Sequence, residues 1–171
     1  MQGQQNKKNK LVIYKSSRLD RLLLAFNSFG YIILPLIWMT TDWFAFANYN
    51  LGIGFSMVGF ILYGLAVYII IKAQIQLNHS WSPWLEVFEG HKFIGKGMFQ
   101  YIRHPIYAAH FLWALALPLI VHNWVAGFSL LATFAPFYFY RVGREEKMML
   151  EFFGELYREY MKQTGRVLPR L

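Results

Sequence analysis

"HPIYAAHFLWALALPLIVHNWVAGFSLLATFAPFYFY", His104 to Tyr140, runs for 37 residues without an acidic residue, a lysine or an arginine. As one α-helix it would reach roughly 55 Å at about 1.5 Å per residue, nearly twice the ~30 Å hydrocarbon core of a bilayer. Its middle is the polar "VHNW", Val121 to Trp124, so the stretch predicts two apolar helices joined by a tight turn, with Trp124 at a membrane interface. Pro105 marks the start of the first helix, because its missing N–H falls where the opening turn leaves N–H groups unpaired anyway.

Working outward, Leu22 to Thr41 and Trp43 to Ile71 are likewise uncharged, and each is long enough to cross a bilayer. The reading is an all-α integral membrane protein with four transmembrane helices, about 22–41, 50–72, 104–121 and 124–141. Composition agrees: the 171 residues are 56% hydrophobic and 15% charged, against roughly 25% charged in soluble domains. The polar segment ahead of the first apolar run is too long for a cleavable signal, so the first helix is expected to stay.

The 17 basic residues divide unevenly between the loops. Six precede the first span, four lie between the second and third (Lys72, Lys92, Lys96, Arg103), and seven follow the fourth. The Asp42 loop and the "VHNW" turn have none. Lysine and arginine mark the cytoplasmic side of short loops, so both termini and the middle loop are expected there in a multi-pass topology. The net charge of +8 is then a topology signal with some attraction to anionic membrane lipids, and needs no nucleic acid to explain it. The absence of cysteine excludes disulfides and thiolate metal sites, and the five histidines form no H-E-x-x-H pair, so no metal is expected.

Residues 1–20 read as a cytoplasmic tail, with an interfacial helix around "LVIYKSSRLDRLLL", and 21–171 as one membrane domain. The glycines and proline of the Lys72–Arg103 loop argue against a long helix there. After Tyr140, apolar residues at helical spacing (Met149, Leu150, Phe152, Phe153, Leu156, Tyr157, Tyr160) predict an amphipathic cytoplasmic helix over about 142–163.

Two polar clusters flank the hairpin. Tyr107 stands three residues from both His104 and His110, on one helix face, and Arg141 and Glu145 are four apart. Polar groups at membrane depth face a cavity or a partner; an interfacial anchor and a surface ion pair account for the same residues without chemistry.

The ordered set "GHKFIGKGMFQYIRHPIY", a helical hairpin of about 35 residues, and "REEKMMLEFFGELYREYMKQTGRVLP" resembles the isoprenylcysteine carboxyl methyltransferase family, in particular its compact prokaryotic members, over residues 77–171. The wider group includes phospholipid methyltransferases. The resemblance implies a membrane transferase using S-adenosylmethionine, with S-adenosylhomocysteine as product. Its cytoplasmic cofactor pocket would be built from the loop before the third helix and the C-terminal amphipathic helix. It implies that His91, Lys92, Phe93, Ile94, Phe99, His104, Pro105, Ile106, Tyr107 and Glu145 hold the cofactor. Phe99 stands where the family commonly has tyrosine. Arg141 falls on the position that contacts the acceptor, and Glu146 joins it as a catalytic candidate. The acceptor would be a prenylated or similarly lipophilic carboxylate. That group is already ionised at neutral pH, so it needs positioning by an arginine rather than a base.

Three other readings remain open at this level. A phosphatidylethanolamine N-methyltransferase would need a base for its amine, for which His104, His110 or Glu146 would serve. An NADPH-dependent sterol-type reductase would call for a denser basic pocket, and a non-enzymatic helical bundle would use its basic loops for orientation alone.

The charge pattern makes a direct prediction about sidedness. A cysteine introduced beside Asp42 should be labelled from outside intact cells by an impermeant maleimide, and one beside Lys96 only after permeabilisation; the reverse pattern would invert the topology.

Overall fold

The computed structural model describes residues 11–170. The chain forms β1 (Leu11–Tyr14), α1 (Arg18–Thr40), α2 (Ile53–Leu77), β2 (Glu86–Phe88), α3 (Pro105–Val121), α4 (Trp124–Phe153) and α5 (Glu155–Gln163), with short 3₁₀ turns between them. α1, α2 and α4 are long and apolar enough to cross a membrane. α3 is apolar but only 17 residues long, which spans about 26 Å.

α1 starts at a reciprocal cap: Asp20 N–H donates to Ser17 Oγ (3.2 Å), and Ser17 N–H returns a bond to Asp20 Oδ2 (2.6 Å). The buried Asp20 carboxylate also accepts from Arg144 Nη1 at 2.6 Å, tying the start of α1 to α4. Further along, α1 widens into a π-turn over Phe29–Ile33, just before Pro35, which has no N–H for the regular ladder. Gly30 in this turn lies against α4, where Ser129 Oγ donates to Gly30 O at 2.6 Å.

Small residues set the other helix contacts, as they do where lipid offers no hydrophobic drive for association. In α2, Gly59, Ala66 and Ala73 recur every seven residues and are buried, and the Gly59 backbone lies on Ala116, Leu119 and Ile120 of α3. Gly127 of α4 sits on the backbone of Pro118. The resulting core, Ala114, Leu130, Phe134, Phe137, Tyr138 and Val142, lies between α3 and α4. α1 and α2 flank it and turn Leu22, Phe26, Ile32, Leu36, Phe60 and Ile61 outward, the pattern of a lipid-facing surface.

Both interhelical turns meet at one end of the bundle. Asn123 caps α4 by accepting from Val125 and Ala126 N–H (both 3.0 Å), and donates through Nδ2 to Phe44 O and Asn48 Oδ1 (both 2.7 Å). At the opposite end β1 pairs antiparallel with β2, Ile13 against Val87, and Thr164–Arg166 runs beside Tyr101–His104 through Arg103 N–H to Gly165 O (2.8 Å) and His104 N–H to Arg166 O (2.9 Å).

Three expectations change. The segment around "LVIY" is a strand rather than part of an interfacial helix: its β-branched residues find a partner edge in β2, and Ile13 packs on Leu85, Val87 and Met148. The fold is therefore mainly helical with a two-stranded ribbon, not all-α. The amphipathic stretch is not a separate helix over 142–163; α4 continues unbroken to Phe153, and the break comes at Gly154, whose φ of 59° suits glycine. Residues 1–10 of the expected cytoplasmic tail lie outside the described residues.

The α1–α4 contact leaves no room for a side chain at Gly30: an added Cβ would stand 2.3 Å from Thr133 Oγ1 and 2.8 Å from Ser129 O. Gly30→Ala should therefore lower thermal stability in detergent by about 1–3 kcal/mol, outweighing the ~1 kcal/mol alanine gains in a helix. Gly64→Ala, with open space around it, should not.

Candidate functional site

Where α3 begins, α4 is already two-thirds along its course, and the two helices bring polar groups from distant sequence positions together. Tyr107 Oη donates to Glu145 Oε2 at 2.6 Å. Arg141, one turn before Glu145 on α4, is 5% exposed; its Nε lies 3.8 Å from Glu145 Oε2 and makes no hydrogen bond to any described residue. Its guanidinium lies over the Phe137 ring at 5.3 Å, a contact favourable to a cation.

His104 stands between two consecutive carboxylates. Its Nδ1 is 3.7 Å from Glu145 Oε1 and its Nε2 3.3 Å from Glu146 Oε1, while its ring stacks on Tyr107 at 5.4 Å. Neighbours on a helix point about 100° apart, so Glu145 and Glu146 face opposite sides of this junction. Glu146 is 3% exposed and receives Arg103 Nε at 3.0 Å and Arg166 Nη2 at 2.8 Å. Arg103 also donates to the carbonyls of Met161 (3.2 Å) and Thr164, so the C-terminal segment is fastened to the start of α3.

The loop before α3 supplies the other wall. β1 holds it through the ribbon, Lys15 N–H donating to Leu85 O (2.8 Å) and Leu85 N–H to Ser16 Oγ (2.8 Å). The Lys15 ammonium pairs with Glu151 on α4. Phe93 meets Phe153, Tyr157 and Tyr160 edge-on, and Tyr160 Oη donates to Phe99 O at 2.5 Å. Burial pushes the Tyr160 phenol up to about 12, so it stays protonated as this donor. His91 lies among Phe152 and Phe153; burial lowers its pKa, and its Nδ1 has no hydrogen-bond partner among the described residues.

These elements enclose a cavity of about 290 Å³. His91, Lys92, Phe93, Ile94, Phe99, His104, Pro105, Ile106, Tyr107, Arg141 and Glu145 all line it, whereas Glu146 lies behind the wall. The cavity has two chemical ends: carboxylate, imidazole and guanidinium groups where α3 begins, and Leu24, Phe134 and Phe137 along the membrane helices. The sequence assigns no definite role to Arg103 or Arg166, nor does it single out the Ser80–Glu86 segment of the wall. The tryptophans and proline of "SWSPW" are the one local signal for that wall. Among the described residues no group of three acidic or histidine side chains could hold a metal.

A sequence model described as the isoprenylcysteine carboxyl methyltransferase (ICMT) family matches residues 57–151. Protein-S-isoprenylcysteine O-methyltransferase of Schizosaccharomyces pombe is 28% identical over 67% of this chain and 48% of its own length. The Homo sapiens protein of the same name is 32% identical over 49% of this chain and 30% of its own. The chain thus spans half or less of these two relatives. A solved structure of a eukaryotic intramembrane Ras methyltransferase, ICMT, superposes on 92% of this chain and 54% of its own with a TM-score of 0.61 at 21% identity, a likeness of fold.

Removing Glu146 would strand Arg103 and His104 in a buried site. Glu146→Ala should cost about 3–5 kcal/mol in detergent unfolding, as breaking a buried ion pair does. Loss of the half-exposed Arg166 (Arg166→Gln) should cost about 1 kcal/mol or less. Equal losses would mean that Glu146 does not organise the junction.

Proposed function

The chain belongs to the isoprenylcysteine carboxyl methyltransferase family, and from that premise we propose that it methylates the α-carboxylate of an isoprenylated cysteine or a similar lipophilic acid, using S-adenosylmethionine and leaving S-adenosylhomocysteine. The observation that carries this reading is Arg141, a buried guanidinium in the cavity wall whose Nε has no hydrogen-bond partner among the described residues, at the boundary between the polar and apolar ends. A buried arginine with donor capacity to spare fits a carboxylate whose tail belongs in the apolar end.

The residues at the polar end suit the cofactor. The orphaned Nδ1 of His91 can meet a polar group of the ligand, the carboxylate of Glu145 can accept from an amino or hydroxyl group, and the aromatic wall of Phe93 and Tyr160 offers flat faces to a heteroaromatic ring. The cofactor, when bound, supplies an electrophilic methyl group. Tyr107 holds Glu145 through its hydroxyl, and Glu146 acts from behind by fixing His104. Arg141 grips the acceptor carboxylate and holds its oxygen in line for attack. Such positioning contributes up to about 7–11 kcal/mol in favourable cases. Attack joins an anion to a cation, so exclusion of water by the loop and C-terminal segment favours the step. No group has to remove a proton.

The same reading places four helices across the membrane, with the cavity and both termini on the cytoplasmic side. Its support is that the two interhelical turns meet at one end through Asn123, and that β1, the loop before α3 and the C-terminal segment meet at the other, where every described lysine and arginine lies.

Detergent-purified protein with labelled cofactor should transfer base-labile label to a prenylated cysteine; base-stable label on phosphatidylethanolamine would reassign the acceptor to an amine. Arg141→Ala should retain cofactor binding while kcat/KM for the acceptor falls at least about 100-fold, and Arg141→Lys, which cannot form the two-pronged contact, should restore only part of it. Glu145→Gln should instead weaken cofactor binding about tenfold by calorimetry. Full activity in Arg141→Ala would remove the carboxylate grip from the mechanism.

A further inference from the structure

The loop that covers the polar end of the cavity is hydrogen-bonded to the N-terminal segment rather than to the helices beside it. From Ser82 to Ile94, every hydrogen bond among the described residues stays within the loop or goes to Leu11–Ser16. Within the loop, His91 N–H donates to Phe88 O (3.0 Å) and Lys92 N–H to Ser80 Oγ (3.2 Å). The links to the N-terminal segment centre on Leu85, which is fully buried: its N–H donates to Ser16 Oγ and its carbonyl accepts from Lys15 N–H, both at 2.8 Å. Directly after it, Glu86 and Val87 of β2 stand opposite Tyr14 and Ile13 of β1. Against α4 the loop has apolar contact, Leu85 and Val87 resting on Met148.

The N-terminal segment is in turn fastened to α4 on a face outside the cavity. Arg144 donates through Nη2 to Lys15 O and through Nη1 to the buried Asp20 Oδ2, both at 2.6 Å. Ser17 Oγ lies 3.2 Å from Tyr140 Oη, and the Lys15 ammonium pairs with Glu151. Tyr140, Arg144 and Glu151 follow one another at helical spacing and none of them lines the cavity, whereas Arg141, Glu145 and Met148 on the neighbouring face do. Leu11–Asp20 thus runs from one face of α4 to the loop that covers another, as a strap.

Apolar contact is non-directional, so burial of Leu85 and Val87 on Met148 favours a closed wall without fixing where His91 stands along it. The two hydrogen bonds to the Leu85 backbone supply that direction. We propose that Ser16 is a positioning residue for the cofactor: with Lys15 and β1 it fixes Leu85, and through Leu85 the His91–Ile94 wall, in the position that binds S-adenosylmethionine, while Arg144 anchors the strap. This rests on the carboxyl methyltransferase reading given above and adds to it a part of the chain that touches neither reactant. Loosening the strap lowers the fraction of molecules with the wall in place, and the apparent cofactor affinity falls by that fraction. The acceptor's partners, Arg141 and the rings of α4, do not hang on the strap.

The test uses the full chain in detergent, with S-adenosylmethionine binding followed by calorimetry and turnover of a prenylated N-acetylcysteine. Ser16→Ala leaves the buried Leu85 N–H without its acceptor and should raise both Kd and KM for the cofactor about fivefold or more. Turnover at saturating cofactor and KM for the acceptor should stay within about twofold, a split that general destabilisation does not produce. Ser16→Thr, which keeps the hydroxyl, should restore cofactor affinity. The chain has no cysteine, so Tyr14→Cys with Glu86→Cys, opposite each other in the ribbon, can be joined by an engineered disulfide. Added to Ser16→Ala, this bridge should recover the cofactor affinity when oxidised and lose the gain on reduction. If Ser16→Ala fails to fold, the bridge in the otherwise unaltered protein decides: its oxidised form should release labelled S-adenosylmethionine at least about threefold more slowly than its reduced form, because release needs the wall to move. Cofactor affinity unmoved by Ser16→Ala, a loss of turnover with both KM values displaced alike, or release indifferent to the bridge overturns the strap and leaves the methyltransferase reading intact. No binding of S-adenosylmethionine by the unaltered protein overturns that reading and the strap with it.

Discussion

One imidazole shared by two adjacent carboxylates holds the site together. Glu145 and Glu146 leave α4 in different directions, and His104 enters between them from the first residue before α3. The arrangement separates two tasks that one carboxylate could not perform. Glu146 is saturated by Arg103, Arg166 and His104 and has no capacity left for a ligand. Glu145 is bound by Tyr107 and faces Arg141, and keeps access to the cavity. A buried charge of this kind is tolerated only when its partners are all in place. The junction therefore fixes how α3, α4 and the C-terminal segment meet.

The apolar body serves that junction by being narrow. Glycine and alanine at the helix contacts let α2 approach α3 and α1 approach α4 at backbone distance. The buried rings Phe134, Phe137 and Tyr138 lie on the α3–α4 seam, where Phe134 and Phe137 line the apolar end of the cavity. Small residues at the helix contacts and rings on the α3–α4 seam give a bundle whose helices lie close together yet leave a chamber beside the seam. Asn123 closes its far end with four hydrogen bonds from one side chain, so the two interhelical turns behave as one cap.

What could be read from the chain follows the range of the interactions concerned. The turn at "VHNW", the start of α3 at Pro105 and the pairing of Arg141 with Glu145 depend on residues within a few positions of one another, and periodicity reveals them. In the sequence Arg103 reads as an interfacial anchor at the mouth of an apolar run. Its burial comes from Glu146, 43 residues away, and from Thr164, 61 away. The strand at "LVIY" needs its partner at Glu86–Phe88, beyond two membrane helices, so local pattern favoured an interfacial helix. The continuity of α4 to Phe153 was hidden because hydropathy changes at Arg141 while helix propensity does not.

The two ends of the cavity also bear on why the chemistry belongs at a membrane surface. A carboxylate in water is well solvated and a poor nucleophile; in the proposed mechanism it would exchange that shell for one fixed partner, Arg141 beside Phe137. The exchange requires that the rest of the ligand contribute binding free energy, and the apolar end supplies surface for it at about 25 cal/mol per Å² removed from water. For a tail already dissolved in lipid much of that gain has been taken before binding, so shape and polar matching between tail and wall must discriminate instead. Affinity in such a chamber is set at the charged end and selectivity at the greasy one.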